Sequence, residues 1–121
     1  MSIIKKHTIS FKNAFSGIIY TFKTQPNFKI HALAALIALT ASFILNISQA
    51  EKIVIVFTIS LVLIAEMINT SIESVVDLLT DKFHQQAKIA KDVSSGMVLL
   101  SAISSVIIAF IIFGKYLWPF F

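Results

Sequence analysis

The chain of 121 residues contains no cysteine, and all ten of its basic residues are lysines. Without cysteine there is no disulfide, no thiolate metal site and no thiol nucleophile. Glycine is scarce, at Gly17, Gly96 and Gly114 only, and no G-x-x-x-x-G-K-S/T stretch occurs. A glycine-rich loop therefore cannot cradle a phosphate here. H-E-x-x-H and Cys/His clusters are also missing. Charge is sparse: 13% of residues are charged and 57% are hydrophobic, against about 25% charged in an ordinary soluble domain. The composition excludes such a domain. One domain, 1–121, is expected, and about three membrane spans would use most of it. The formal charge is +4. The lysines flank apolar segments and do not build a polar domain, which favours a membrane over nucleic acid as partner. The first 25 residues lack the short apolar core and small-residue cleavage site of a signal peptide, so no removed leader is expected. Internal repeats and low-complexity segments are absent.

Along the chain, Met1 to Lys6 reads as a frayed basic end. His7 to Thr24 has helical periodicity, with Phe11, Phe15, Ile18 and Phe22 on one face and Lys12, Asn13, Ser16, Tyr20 and Lys23 on the other. That is the build of an amphipathic helix lying in a membrane surface; a short helix packed on the bundle would show the same period. Pro26 is placed to open the next helix. Spans are expected over about 28–47, 53–79 and 89–113. The segments Asn46–Lys52 and Thr80–Lys88 are expected as a turn and a polar loop. Ala34, Ala38 and Ser42 are spaced by four within the first span, as in close helix contacts in lipid. The tail from Lys115 to Phe121, with Tyr116 and Trp118, reads as an interfacial aromatic anchor. Lys5, Lys6, Lys12, Lys23, Lys29, Lys82, Lys88 and Lys91 fall on one side of a three-span protein, and Lys52 and Lys115 on the other. The positive-inside rule then puts the N-terminus and the 80–88 loop in the cytoplasm. A bundle this small is expected to oligomerise.

The densest chemistry lies at the end of the second span, in Glu66-Met67-Ile68-Asn69-Thr70-Ser71-Ile72-Glu73-Ser74-Val75-Val76-Asp77. At about 100° per residue, Glu66, Asn69, Thr70, Glu73 and Asp77 share one side of a helix. Carboxylates in hydrocarbon are costly and usually mark a functional site facing a bundle interior. Glu66 falls roughly 20 Å into the span at 1.5 Å per residue, in its inner half, with Glu73 about 10 Å further on, near headgroup level. The deeper acid suits a general base or proton acceptor. The shallower one suits a hard divalent cation, which prefers oxygen ligands. Lys91 and Asp92 open the third span on the same side, and a surface lysine suits phosphate oxygens as a point charge. Ser95 and Gly96 follow one turn on, where small residues leave room. His31, early in the first span, reads as a headgroup-level residue, and His7 and His84 as uninformative.

These residues resemble the small bacterial integral-membrane diacylglycerol kinase and undecaprenol kinase family over nearly the whole chain. Glu66-x-x-Asn69-Thr70-x-x-Glu73-x-x-x-Asp77 is similar to the family's E-x-x-N-S/T-x-x-E-x-x-x-D. Lys91-Asp92-x-x-Ser95-Gly96 is similar to its K-D-x-A/G-S/A-A/G. Ser10-Phe11-x-x-Ala14-x-x-Gly17 and Asn27-Phe28-Lys29-Ile30-His31 are a third resemblance, and the last stretch is more similar to the undecaprenol kinase branch than to the Gram-negative diacylglycerol kinase branch. The resemblance implies an all-α membrane protein with a surface helix, three spans and a homotrimer. It implies transfer of the ATP γ-phosphate to a lipid hydroxyl with Mg2+. Carried over by position, Glu66 would be the catalytic base and Glu73 a metal ligand. Asn69, Asp77, Lys91 and Asp92 would form the nucleotide and phosphate site, and Glu66, Asn69 and Ser95 would meet the lipid. The family usually has a glutamate, as second metal ligand, where Gln25 stands here; a neutral amide offers a carbonyl oxygen but no charge.

The expectation is therefore a multi-pass lipid-alcohol kinase of the cytoplasmic membrane, with its N-terminus cytoplasmic. Its partners would be ATP, the bilayer, a lipid alcohol (undecaprenol ahead of diacylglycerol) and further copies of itself, with no nucleic acid. Two other classes fit the same stripe: a proton or cation pathway, and an inactive kinase relative acting as a membrane partner, the latter motivated by Gln25.

Overall fold

A computed structural model describes residues 2–121, and among these the chain is all-helical. Helix α1 (Ile3–Thr24) starts where the Ser2 side chain accepts a hydrogen bond from the Lys5 N–H, as a serine N-cap does. Ile3–Lys6, expected to fray, are therefore helical, while Met1 lies outside the described residues. The helix stops at Gln25, whose backbone is extended (φ −111°, ψ 106°), because a residue preceding proline is pushed out of the α region. Pro26 then opens α2 (Pro26–Ile44), where its missing N–H costs nothing.

Helix α2 ends in a Schellman arrangement. The Ile47 N–H reaches the Ser42 carbonyl (3.3 Å) and the Asn46 N–H the Phe43 carbonyl (3.2 Å). Asn46 has φ 49°, a left-handed conformation that asparagine tolerates better than most residues with a Cβ. Helix α3 (Gln49–Leu79) begins four residues before the expected span. Ser48 caps it, accepting from the Glu51 N–H (3.2 Å) and donating to Glu51 Oε1 (2.9 Å). Helix α4 (Gln85–Leu117) also begins early, because the His84 side chain accepts from the Gln86 N–H (3.2 Å). The expected 80–88 loop thus shrinks to Thr80–His84. A 3-10 turn, Trp118–Phe120, ends the chain.

Helices α2, α3 and α4 are each long and apolar enough to cross a membrane. The 19 residues of α2 span about 28 Å, close to one hydrocarbon thickness, whereas the 31 of α3 span about 46 Å and overshoot it. The pairing is antiparallel: α3 packs along α4, and α2 along α3. At one end, called the far end, Glu51 of α3 meets Lys115 and Tyr116 of α4 (2.9 and 3.0 Å). At the near end, Asp77 of α3 meets Lys91 of α4 (2.6 Å). The main buried apolar cluster lies in the far half, where Ile47, Ile55 and Ile112 pack with Leu39, Ile59 and Phe113; Val62, Ala65 and Phe28 are buried singly toward the near end. Large apolar side chains such as Leu36, Phe57, Phe110 and Ile111 are exposed. Such a surface suits acyl chains or other helices, not water. The protein is a multi-pass membrane protein. Helix α1 touches α2 and α3 at the near end, and of its residues only Thr21 is buried.

Candidate active site

The near half of the bundle carries polar groups where the far half carries its core. Glu66, Asn69, Thr70 and Ser94 are all buried there. One turn of α3 separates each of Glu66, Asn69/Thr70, Glu73 and Asp77 from the next. The edge they form meets α2 at its deep end and α4 further up. Because buried polar groups are nearly always hydrogen-bonded, their partners define the site.

At the deep end, the Glu66 side chain is 3% exposed, with Oε1 3.3 Å from Nε2 of His31 on α2. That approach lies off hydrogen-bonding geometry, and Oε1 is buried without a hydrogen-bond partner. Thr70 satisfies itself by donating to the Glu66 backbone carbonyl (2.9 Å), leaving the carboxylate untouched. One turn up, Ser94 of α4 donates to Asn69 Oδ1 (2.6 Å). This fixes the amide orientation, and Asn69 Nδ2 donates to Glu73 Oε1 (3.3 Å). At the surface, Lys91 Nζ donates to Asp77 Oδ1 (2.6 Å), with both side chains largely solvated.

The structure thus brings together Glu66, Asn69, Glu73, Asp77 and Lys91. Asp92 is exposed and pairs with Lys88 one turn away on its own helix. Ser95 is exposed and makes no side-chain hydrogen bond among the described residues; its neighbour Ser94 is the serine that reaches α3. Gln25 is half-buried at the α1–α2 joint. Its backbone N–H bonds to the Thr21 carbonyl and its own carbonyl accepts from Phe28 (3.1 Å), but its side chain bonds to none of the cluster. Neither His31, quoted in a family stretch but read as a headgroup-level residue, nor Ser94 was assigned to the site; the structure sets His31 against Glu66 and Ser94 against Asn69. Ser94 lies three residues after Lys91, hence on the same face of α4, and that was its available signal. His31 offered only a polar side chain inside an apolar segment.

Among the described residues no three acidic or histidine side chains gather as a metal cage. Mg2+ seldom needs one, since it keeps waters and takes one or two carboxylates plus phosphate oxygens. Glu73 suits that role. It is half-buried, and only its Oε1 is engaged, by an uncharged amide.

Residues 12–113 match the family described as prokaryotic diacylglycerol kinase. The chain belongs to that family. It is 44% identical over 101 residues to a diacylglycerol kinase of Synechocystis, covering 83% of this chain and 58% of that protein. It is 42% identical over 104 residues to the undecaprenol kinase of Bacillus subtilis, covering 86% and 85%. Against the diacylglycerol kinase of Escherichia coli K12 it is 29% identical over 94 residues, covering 78% and 77%. The resemblance carried by the α3 and α4 motifs therefore holds, and these relatives are lipid kinases by name.

Proposed function

We propose that the protein transfers the γ-phosphate of MgATP to the hydroxyl of a membrane lipid alcohol, undecaprenol in first place and diacylglycerol in second. The observation that carries this reading is the vertical order along α3. A buried carboxylate stands in the hydrocarbon half, and an amide, a second carboxylate and a lysine-paired aspartate follow in turn toward the surface. An acceptor dissolved in the bilayer meets Glu66; a nucleotide from water meets Lys91 and Asp77.

Glu66 takes the proton of the lipid hydroxyl as its oxygen attacks the γ-phosphorus. The bond from that phosphorus to the β,γ-bridging oxygen breaks, and ADP leaves with the electron pair. General-base help of this kind contributes about 10²- to 10⁴-fold. The rest is positioning and charge stabilisation, for which Lys91 and the Asn69 amide are placed. Mg2+ bound at Glu73 would neutralise charge on the phosphates; Asp92 and Gln25 are further contacts for the nucleotide and metal, and Ser95 for the lipid. The lysine asymmetry supports a cytoplasmic near end in the inner membrane, with α1 lying along the surface. The bare apolar faces of so small a bundle support assembly into a homotrimer.

The test is direct. Purified protein in lipid receives labelled ATP, Mg2+ and either undecaprenol or diacylglycerol. Label should appear in the lipid and depend on Mg2+. If neither lipid is labelled, the proposal is overturned. Replacing Glu66 with Gln should lower kcat at least about 10²-fold while leaving assembly intact; equal loss of both would make Glu66 a structural residue.

A further inference from the structure

Glu66 is the one member of the cluster whose carboxylate the cluster itself does not serve. On its own helix, Thr70 bonds to the backbone carbonyl, Asn69 is committed to Ser94 and Glu73, and Glu73 is a like charge two turns away. On α4, Ser94 is spent on Asn69 and Lys91 on Asp77. An ionised carboxylate out of water needs a partner, and Oε1 has no hydrogen bond. Within ion-pairing distance of it stands His31 Nε2, at 3.3 Å from α2. A small rotation of the ring or of the carboxylate converts this approach into an Nε2–H···Oε1 hydrogen bond. The histidine is well held to make it, since it sits in the second turn of a helix whose start is fixed by Pro26. It also lines a cavity of about 180 Å³ between α2, α3 and α4, with Ala34, Ala38 and Val62.

We infer that His31 is a positioning residue for Glu66: its Nε2–H holds Oε1 and aims the carboxylate at the acceptor hydroxyl. This rests on the proposed role of Glu66 as base. His31 bonds to none of the residues proposed to meet the nucleotide, so its loss should act on the chemical step.

Kinetics of the lipid-embedded enzyme with His31→Leu, His31→Gln, Glu66→Gln and the double variant His31→Leu/Glu66→Gln test it. His31→Leu should lower kcat about 30-fold, less than the roughly 10²- to 10⁴-fold that a general base contributes as a whole, and leave KM for MgATP unchanged. His31→Gln, which keeps an N–H near the same place, should recover most of that loss. The double variant should be no slower than Glu66→Gln alone, because coupled residues do not add. Should leucine disturb assembly, His31→Asn, polar but too short to reach Oε1, replaces it with the same expectation. An unchanged kcat in these variants, losses that multiply in the double variant, or a rise in KM for MgATP that accounts for the loss would each overturn the inference. The two readings fail differently. Full activity of Glu66→Gln removes the base itself, whereas an inactive Glu66→Gln beside a fully active His31→Leu removes only the role of His31.

Discussion

The Ser94–Asn69 bond is short, buried and shared between two helices. Ser94→Ala leaves the Asn69 carbonyl without a donor in a buried place, which costs about 1–3 kcal/mol. A lowered denaturation midpoint in detergent would register it. The amide is also no longer held in place, so the Nδ2–H that fixes Glu73 is less firmly positioned. The Mg2+ concentration for half-maximal rate should then rise several-fold, and so should that for Mn2+ binding followed by electron paramagnetic resonance. Gln25 lies close in sequence to the α2 start but bonds to none of the cluster. If it contributes to the metal site, Gln25→Glu adds charge and should raise Mg2+ affinity; an unchanged Mg2+ dependence would remove it from the site. At this scale the stripe of Glu66, Asn69, Glu73 and Asp77 was legible, because a helix repeats its faces at a fixed period. The partners Ser94 and His31 were not, because which face of α2 or α4 meets α3 depends on how the helices are rotated against one another. No count along a single helix contains that rotation. His84 illustrates the same gap: it looked like an idle loop residue and is the cap of α4.

Helix ends were read by hydropathy, and hydropathy marks where hydrocarbon begins rather than where a helix does. That is why Gln49–Lys52 and Gln85–Lys88, polar but helical, were expected as turn and loop. The Ser48-x-x-Glu51 spacing fits a capping signature, a signal that a reading by hydropathy does not use. Glu51 does more than cap, since it also receives Lys115 and Tyr116 and ties the start of α3 to the end of α4. Glu51→Ala should lower the thermal midpoint without altering KM for MgATP, because the residues proposed to meet the nucleotide stand at the other end of the bundle. At the α2–α3 turn, Asn46→Val forces a β-branched side chain into positive φ, which should cost roughly 1–2 kcal/mol. Asn46→Gly relieves the same constraint and should be neutral or better, so the pair of denaturation curves checks the turn.

Across the whole molecule, the far half is held by apolar packing, and the near half adds polar contacts between α3 and α4 to the buried Phe28 and Ala65. The all-helical class and three spans were legible from composition and length alone. The distribution of order between the two halves was not, because it depends on which residues the helices bury against each other. The orientation proposed from the lysines has a simple check, helped by the absence of native cysteine. With single cysteines at Asp81 or Gln49 and a membrane-impermeant maleimide added outside intact cells, only the Gln49→Cys protein should be labelled. Labelling at residue 81 instead would reverse the topology.

Helix α3 runs without a break from the hydrocarbon into water, and it holds the proposed base and the phosphate-facing groups on one rigid rod. Under the proposed activity, a substrate dissolved in the bilayer and one dissolved in water can therefore be joined without either changing phase. Turnover should then follow the mole fraction of acceptor within the bilayer. Adding inert lipid would then slow the enzyme even when the total amount of acceptor in the tube is unchanged.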